Sequence, residues 1–294
     1  MILGAIDVGT NSVKLLIVDS KRGRLVPVAE RVTITRLGEG VEKTRRISAE
    51  AMDRTLEALV GFRELARRRR AWTLEAVGTR VLRMAENAGD FVRRCRKELD
   101  LPVRILSGEE EARLGYVGAT GGSESCAVLD VGGGSAQLIV RGRGRSVDVG
   151  AVVLTEAFLR TDPPRPEELR AARDRAAREL RGLVRGRKLP SDLVGIGGTI
   201  ATAAAIRRRR KIGPEAAHGC RLPLRSVDAL RDRLAAMTIG ERRRVRGLDP
   251  ARADIIVAGL VVVGEAMRAG GFEELRTSAY GLRHGLALEM ATRV

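Results

Sequence analysis

Aromatic residues are almost missing from this chain of 294 residues: four Phe, two Tyr and one Trp, or 2%. Its cores must therefore be aliphatic, and binding of single-stranded nucleic acid by stacking bases on aromatic rings is disfavoured. Cysteine is scarce too. Cys95, Cys126 and Cys220 are odd in number, far apart, and lack both a CxxC pair and histidines at metal spacing, so a reducing, cytoplasmic setting fits best. No long apolar run is present. Ile255 to Met267 is interrupted by Glu265 and falls short of the ~20 residues a membrane crossing needs, so it reads as a buried helix. The start, MILGAIDVGTNSVKLLIVD, has no basic leader and carries Asp7 where a signal peptide needs an unbroken apolar core; no export signal is expected. The absence of GxxxxGK[ST] excludes a P-loop design.

What is present is globular: 44% hydrophobic and 31% charged residues, at a length that suits two α/β domains of roughly 120 to 180 residues. Basic groups outnumber acidic ones 54 to 37, a net charge of +17, which favours polyanionic partners through long-range attraction. Only six of the 54 are lysines. Arginine's planar fork suits phosphate oxygens, although arginine richness also arises as a genome-wide bias. Basic runs at Arg67 to Arg70, Arg207 to Lys211 and Arg242 to Arg244 read as solvated helix faces by default and as a path for a long polyanion otherwise.

A repeat organises the chain. An offset of 123 lays Ile6-Asp7-Val8-Gly9-Thr10-Asn11-Ser12 over Leu129-Asp130-Val131-Gly132-Gly133-Gly134-Ser135, and Leu15-Leu16-Ile17 over Leu138-Ile139-Val140. Each copy reads as strand, tight turn, strand. The first half continues with a strand from Arg24 to Thr35, a helix from Ser48 to about Arg70 with Met52, Leu56, Leu59 and Val60 on one face, a strand Leu74 to Gly78, a helical region ending near Leu99, and a strand Val103 to Leu106. A helix opening at Ser107-Gly108-Glu109-Glu110 closes the half, giving the order βββαβαβα. Small polar residues at Thr120 to Glu124 mark the boundary, so domains are expected at 1–120 and 121–294. The second half has three strands to about Gly150, a helix after Asp162-Pro163-Pro164, a strand Leu193 to Ile196, and mainly helices beyond.

A hairpin tip rich in Gly and Ser aims several backbone N–H groups in one direction and lets an anion approach without a Cβ in the way, so phosphate is the natural guest. Asp and Gly are also ordinary turn residues. Two copies at matched positions favour the functional reading. Ser107 with Glu110 forms a capping box and acids near a helix start oppose the dipole, which accounts for Glu109 and Glu110 and leaves Glu111 over.

The ordered set Asp7-Val8-Gly9-Thr10-Asn11-Ser12, Gly78-Thr79-Arg80-Val81-Leu82-Arg83 with Asn87, Ser107 to Ala112, Asp130 to Ser135, Gly197-Gly198-Thr199, His218-Gly219 and Gly281-Leu282-Arg283 resembles the exopolyphosphatase and guanosine pentaphosphate phosphatase family, within the actin-like ATPase superfamily. The resemblance spans nearly the whole chain. It implies two ribonuclease-H-like domains and Mg2+-assisted hydrolysis of terminal phosphate from inorganic polyphosphate or pppGpp in an interdomain cleft. It also aligns Glu111 with the glutamate that activates water. On this reading Gly9, Thr10, Asn11, Ser12, Arg83, Gly132, Gly133, Gly134 and Ser135 bind phosphate, and Asp7 and Asp130 are candidate Mg2+ ligands, directly or through water. The segment Gly197-Gly198-Thr199 resembles the superfamily's adenosine-contacting stretch, and close strand-to-helix packing explains it equally well.

One position departs from the family: Gln137 stands where a glutamate is usual, and an amide without charge is a poorer Mg2+ ligand. The 123 offset sets it opposite Lys14. His218 reads as structural, and His284 carries no catalytic assignment. Polyphosphate or a guanosine penta- or tetraphosphate is the expected partner, nucleic acid and membrane are not, and a homodimer is compatible with the sequence. Two other classes stay open: an ATP-dependent phosphotransferase of the same superfamily, and a non-catalytic polyphosphate or alarmone binder.

Overall fold

The computed structural model describes residues 1–21, 24–123, 125–210, 213 and 218–293. Glu124 of the boundary segment and Lys211 of the second basic run lie outside them. The chain packs as two compact units, Met1–Gly118 with Leu282–Val294, and Ala119–Gly281.

The first unit holds β1 (Ile2–Val8), β2 (Ser12–Lys21), β3 (Arg24–Ile34), α1 (Val41–Thr44), α2 (Ala49–Arg68), β4 (Thr73–Gly78), α3 (Arg80–Met84), α4 (Ala88–Leu99), β5 (Val103–Ile105) and α5 (Gly108–Thr120). The sheet order is β3-β2-β1-β4-β5, with β1 antiparallel to β2 and parallel to β4. Strands β1 and β2 are apolar at consecutive positions because both faces of the sheet are covered. Ile6, Val8, Val13, Leu15 and Ile17 join a core with Met52, Leu56, Leu59 and Phe62 of α2 and Phe91 and Cys95 of α4. The alternate residues Leu3, Ala5, Leu16 and Val18 point the other way. They pack with Leu114 of α5 and with Leu282, Leu286, Ala287 and Met290 of the last helix, α12 (Leu282–Thr292). This helix, expected in the second domain, thus completes the first unit. Val60, expected on the buried face of α2, is instead 41% exposed. It lies four residues after Leu56 and one after Leu59, at the edge of the apolar stripe.

The second unit repeats the plan with β6 (Cys126–Val131), β7 (Ala136–Val140), β8 (Arg143–Val147), α6 (Ala151–Phe158), α7 (Pro166–Val184), β9 (Asp192–Ile196) and α8 (Gly198–Arg207). It continues through β10 (Arg221–Pro223), α9 (Leu224–Ala235), α10 (Ile239–Arg242), a 3-10 turn (Pro250–Arg252), α11 (Ile256–Gly270) and β11 (Glu274–Thr277). The sheet order is β10-β11-β9-β6-β7-β8, with β6 antiparallel to β7 and parallel to β9. Both units are therefore ribonuclease-H-like α/β folds. Strands β10 and β11 are too short for the sequence pattern to reveal. Helix α11 is buried from Ile256 through Met267, as the apolar run predicts. Its Glu265 is matched by Arg173 at 3.2 Å and Arg268 at 3.0 Å, as a buried carboxylate requires.

Among the basic runs, Arg67 to Arg70 are solvent-exposed. Arg242 is not: its Nε donates to Leu234 O at 2.7 Å and its Nη1 to Ala253 O at 3.2 Å, so it is a core arginine that satisfies backbone carbonyls. Burial holds its pKa below the ordinary guanidinium value. No helix among the described residues is long and apolar enough to cross a membrane.

Candidate active site

The two hairpin tips sit at the carboxyl ends of β1 and β6, each beside a parallel neighbour, where open α/β sheets present ligand sites. Their geometry matches position by position. Gly9 N donates to Ser12 O at 3.1 Å, and Gly132 N donates to Ser135 O at 3.0 Å. Each loop is anchored by its carbonyls. Thr10 O accepts from Gly38 N (2.8 Å) and Asn11 O from Thr35 N and Arg36 N (3.1 and 3.0 Å); Gly132 O accepts from Ala151 N (3.0 Å) and Gly133 O from Val152 N (2.8 Å). Because the peptide is planar and trans, anchoring those oxygens turns the N–H groups of Asn11, Gly133 and Gly134 the opposite way. Among the described residues no hydrogen bond uses the N–H groups of Thr10, Asn11, Gly133 or Gly134. The Asn11 side chain is only 6% exposed, yet its Nδ2 has no partner among those residues. Unspent buried donors are rare in a finished fold and indicate a missing acceptor.

The supports of these loops escaped the sequence reading. A Cβ on Gly38 would lie 2.3 Å from Thr10 Cγ2, and one on Gly150 would lie 2.3 Å from Gly133 O. Only the glycines themselves signal them, and a lone glycine after a strand has many uses.

Glu111 and Arg83 are brought together. After β4 the chain turns at Thr79 into α3, and Arg83 reaches back so that its Nη1 donates to Leu106 O at 2.9 Å and to Glu111 Oε2 at 2.7 Å. Glu111 is fixed from below by the start of α5, where Ser107 N donates to Glu110 Oε2 (2.8 Å) and Glu110 N to Ser107 Oγ (3.1 Å), the expected capping box. The Ser107 N–H, above all, holds the Glu110 carboxyl below its usual pKa, helped by Arg104. Such a depressed group stabilises the fold above its unfolded pKa of about 4.3, and the contribution is lost as pH falls through the lower folded value. Glu110→Gln is therefore expected to melt below wild type at pH 7, the gap closing below about pH 4. A gap that stays constant down to pH 3 in a thermal melt would refute this.

Asn87 is structural: it bridges Ile47, whose N donates to Asn87 Oδ1 at 2.8 Å and whose O accepts from Nδ2 at 2.9 Å. Arg283, the final residue of the last motif, packs in the first unit and its Nη1 donates to Leu15 O at 3.0 Å, with burial lowering its pKa.

The register pairs Asp7 directly with Lys14 and Asp130 directly with Gln137. Lys14 Nζ lies 2.7 Å from Asp7 Oδ2, so the first aspartate holds an ammonium. Gln137 is 3% exposed and brings no charge. Among the described residues no three His, Cys, Asp or Glu side chains converge as a metal set. The donors present do not fit a resident divalent ion.

In the second unit Gly197 adopts φ +102° and crosses the end of β6: a Cβ there would meet Val131 O at 2.4 Å and Asp130 Oδ1 at 2.9 Å. Gly198, opening α8, lies under the Arg252 guanidinium, with Nη1 only 2.3 Å from where its Cβ would be. Burial lowers the Arg252 pKa, against the pull of Asp249 and Asp254. Sequence reasoning missed Arg252 because nothing separates it from the other arginines. Thr199 is turned into packing, with Oγ1 2.3 Å from a Cβ on Gly259 of α11. The His218 ring packs at a tilt of 44° against Tyr280, with centroids 4.7 Å apart.

Residues 16–294 match the sequence model of the Ppx/GppA phosphatase family. The chain is 34% identical to Exopolyphosphatase 2 of Mycobacterium tuberculosis, with 98% of both chains aligned. Among solved structures it superposes on the Ppx/GppA family member of Aquifex aeolicus with a TM-score of 0.81, at 30% identity over 100% of this chain and 98% of that one. An exopolyphosphatase from Cytophaga hutchinsonii gives 0.90 at 27% identity, over 100% and 99%. With matched phosphate-type loops in two ribonuclease-H-like units and a family match across almost its full length, this chain belongs to the Ppx/GppA phosphatase family.

Proposed function

We propose that the protein is an exopolyphosphatase that hydrolyses the terminal phosphoanhydride of inorganic polyphosphate, with pppGpp as a second substrate carrying the same group. The observation that carries this reading is the pair of loops whose N–H groups at matched positions, Thr10 and Asn11 in one unit, Gly133 and Gly134 in the other, make no hydrogen bond among the described residues. Such concave sets of backbone donors bind phosphate oxygens. A net charge of +17 attracts the polyanion.

Water attacks the terminal phosphorus in line, the bond from phosphorus to the bridging oxygen breaks, and the electron pair leaves on the shortened chain. Glu111 accepts the proton of the attacking water. The Arg83 guanidinium, 2.7 Å from it, orients the carboxylate and offers its remaining N–H groups to the equatorial oxygens. Family members generally depend on a divalent metal, whose charge offsets that of the phosphate chain.

Asn11 provides the test. Its buried Nδ2 has no partner among the described residues, so Asn11→Ala removes a desolvation cost and is expected to leave Tm unchanged or raised. The same change removes a donor to phosphate and is expected to lower kcat/KM for polyphosphate about 10-fold, the effect of roughly 1.4 kcal/mol. Phosphate release is assayed on polyphosphate, pppGpp and ATP. Full activity in Asn11→Ala, or turnover of ATP alone, would contradict the proposal.

A further inference from the structure

Each hairpin repeats one constellation: an aspartate at the end of the first strand and, directly across the ladder, a residue of the second strand. The pairs are Asp7 with Lys14 and Asp130 with Gln137. Directly opposed side chains in an antiparallel pair lie close enough to act on one guest. A carboxylate at either facing position would give that hairpin two charged oxygen donors, the chemistry that Mg2+ selects. Neither hairpin has it.

In the first hairpin the place is filled by a fixed cation. Lys14 Nζ sits 2.7 Å from the buried carboxylate of Asp7, and a divalent ion on that carboxylate would have to displace the ammonium or lie against it. Lys14 itself stays part-exposed, beside a loop whose Thr10 and Asn11 N–H groups make no hydrogen bond among the described residues. A lysine so placed supplies a point charge to a phosphate without any metal. In the second hairpin Asp130 is opposed by a buried amide that contributes no charge. The described residues assemble no third ligand anywhere, since no set of three His, Cys, Asp or Glu converges. Mg2+ demands six oxygens, releases water reluctantly, and is held on so few protein ligands only when substrate phosphates supply the rest.

We infer that this chain keeps no divalent metal of its own: the ion enters as part of a metal–polyphosphate complex, which is the true substrate. Asp130 is the chain's one carboxylate ligand to it, and Lys14 serves permanently in the first loop as the cation there. The division follows the two loops, lysine in the first unit and substrate-borne metal in the second. The inference rests on the polyphosphate reading only for the nature of the phosphate chain.

The test uses the full chain and Mn2+ as probe, with free Mn2+ read by electron paramagnetic resonance in phosphate-free buffer. Wild type is expected to bind no tighter than the millimolar range, typical of a lone carboxylate site. Gln137→Glu restores a second carboxylate opposite Asp130 and is expected to tighten Mn2+ binding at least 10-fold, a gain of about 1.4 kcal/mol. Adding Asp130→Asn to that variant is expected to cancel the gain. Stoichiometric micromolar binding by wild type would overturn the inference, and this arm depends on no variant folding. A Gln137→Glu protein that shows wild-type circular dichroism but no gain would also overturn it, because the position would then not face a metal. Polyphosphate hydrolysis is measured on the same samples. Its absence would sink the functional reading and leave the metal result standing, whereas a resident metal in an active protein would sink only this inference.

Discussion

Glu111→Gln is expected to lower phosphate release from polyphosphate by roughly 10²- to 10⁴-fold, the usual contribution of a positioned general base. Glutamine keeps the shape and one oxygen acceptor for Arg83 Nη1, so the contact now at 2.7 Å weakens from an ion pair to a neutral-acceptor hydrogen bond without leaving a cavity. Arg83 also keeps its bond to Leu106 O. The pair is partly solvated, with side-chain exposures of 26% and 11%, so the loss of stability should stay near 1 kcal/mol or below. The expected signature is therefore a catalytic defect with little change in Tm and with polyphosphate binding retained. Wild-type turnover would remove Glu111 from the mechanism. A collapse of Tm would instead mark it as a structural partner of Arg83.

Gly150→Ala is expected to damage both the fold and the reaction, although Gly150 touches no substrate. Its Cβ would lie 2.3 Å from Gly133 O, 2.5 Å from Gly133 C and 2.6 Å from Gly134 C, all backbone atoms that cannot rotate aside. Either the second loop or the start of α6 must shift, straining the bonds from Ala151 N and Val152 N that hold the loop's carbonyls. Overpacking of this kind costs about 1–3 kcal/mol. A loop displaced by ~1 Å aims its N–H groups wrongly, which is worth about 100-fold in rate. Gly182 in α7 is the control: a Cβ there meets nothing within 4 Å, and an interior helical Gly→Ala change should stabilise by roughly 0.5–1 kcal/mol. Equal melting of the two variants, or full activity in Gly150→Ala, would show that the close approach is not rigid.

The hairpins were legible because their chemistry is local. The offset of 123 that aligned Gly9 with Gly132 and Ser12 with Ser135 in sequence pairs the same atoms in space. It also placed Gln137 opposite Lys14, and the register carries both residues across from the aspartates. The capping box at Ser107 and Glu110 was legible for the same reason. What escaped depends on distant chain. Helix α12 returns to the first unit because Leu3, Ala5, Leu16 and Val18 leave an apolar sheet face that α5 alone does not cover, and no local pattern at 282–292 says so. The supporting glycines, Gly38 and Gly150, act through backbone atoms brought near by folding. Arg252 and Arg242 hide among the chain's arginines, because packing, not residue type, separates such an arginine from a solvated one.

The most direct test follows the products of a polyphosphate chain of defined length by ³¹P nuclear magnetic resonance with the purified protein, Mg2+ and no nucleotide. Removal of terminal phosphate predicts an orthophosphate signal that grows from the start while the end-group signal persists and the chain shortens from its ends. Mid-chain fragments without orthophosphate, or no change until a nucleotide is added, would contradict the assignment.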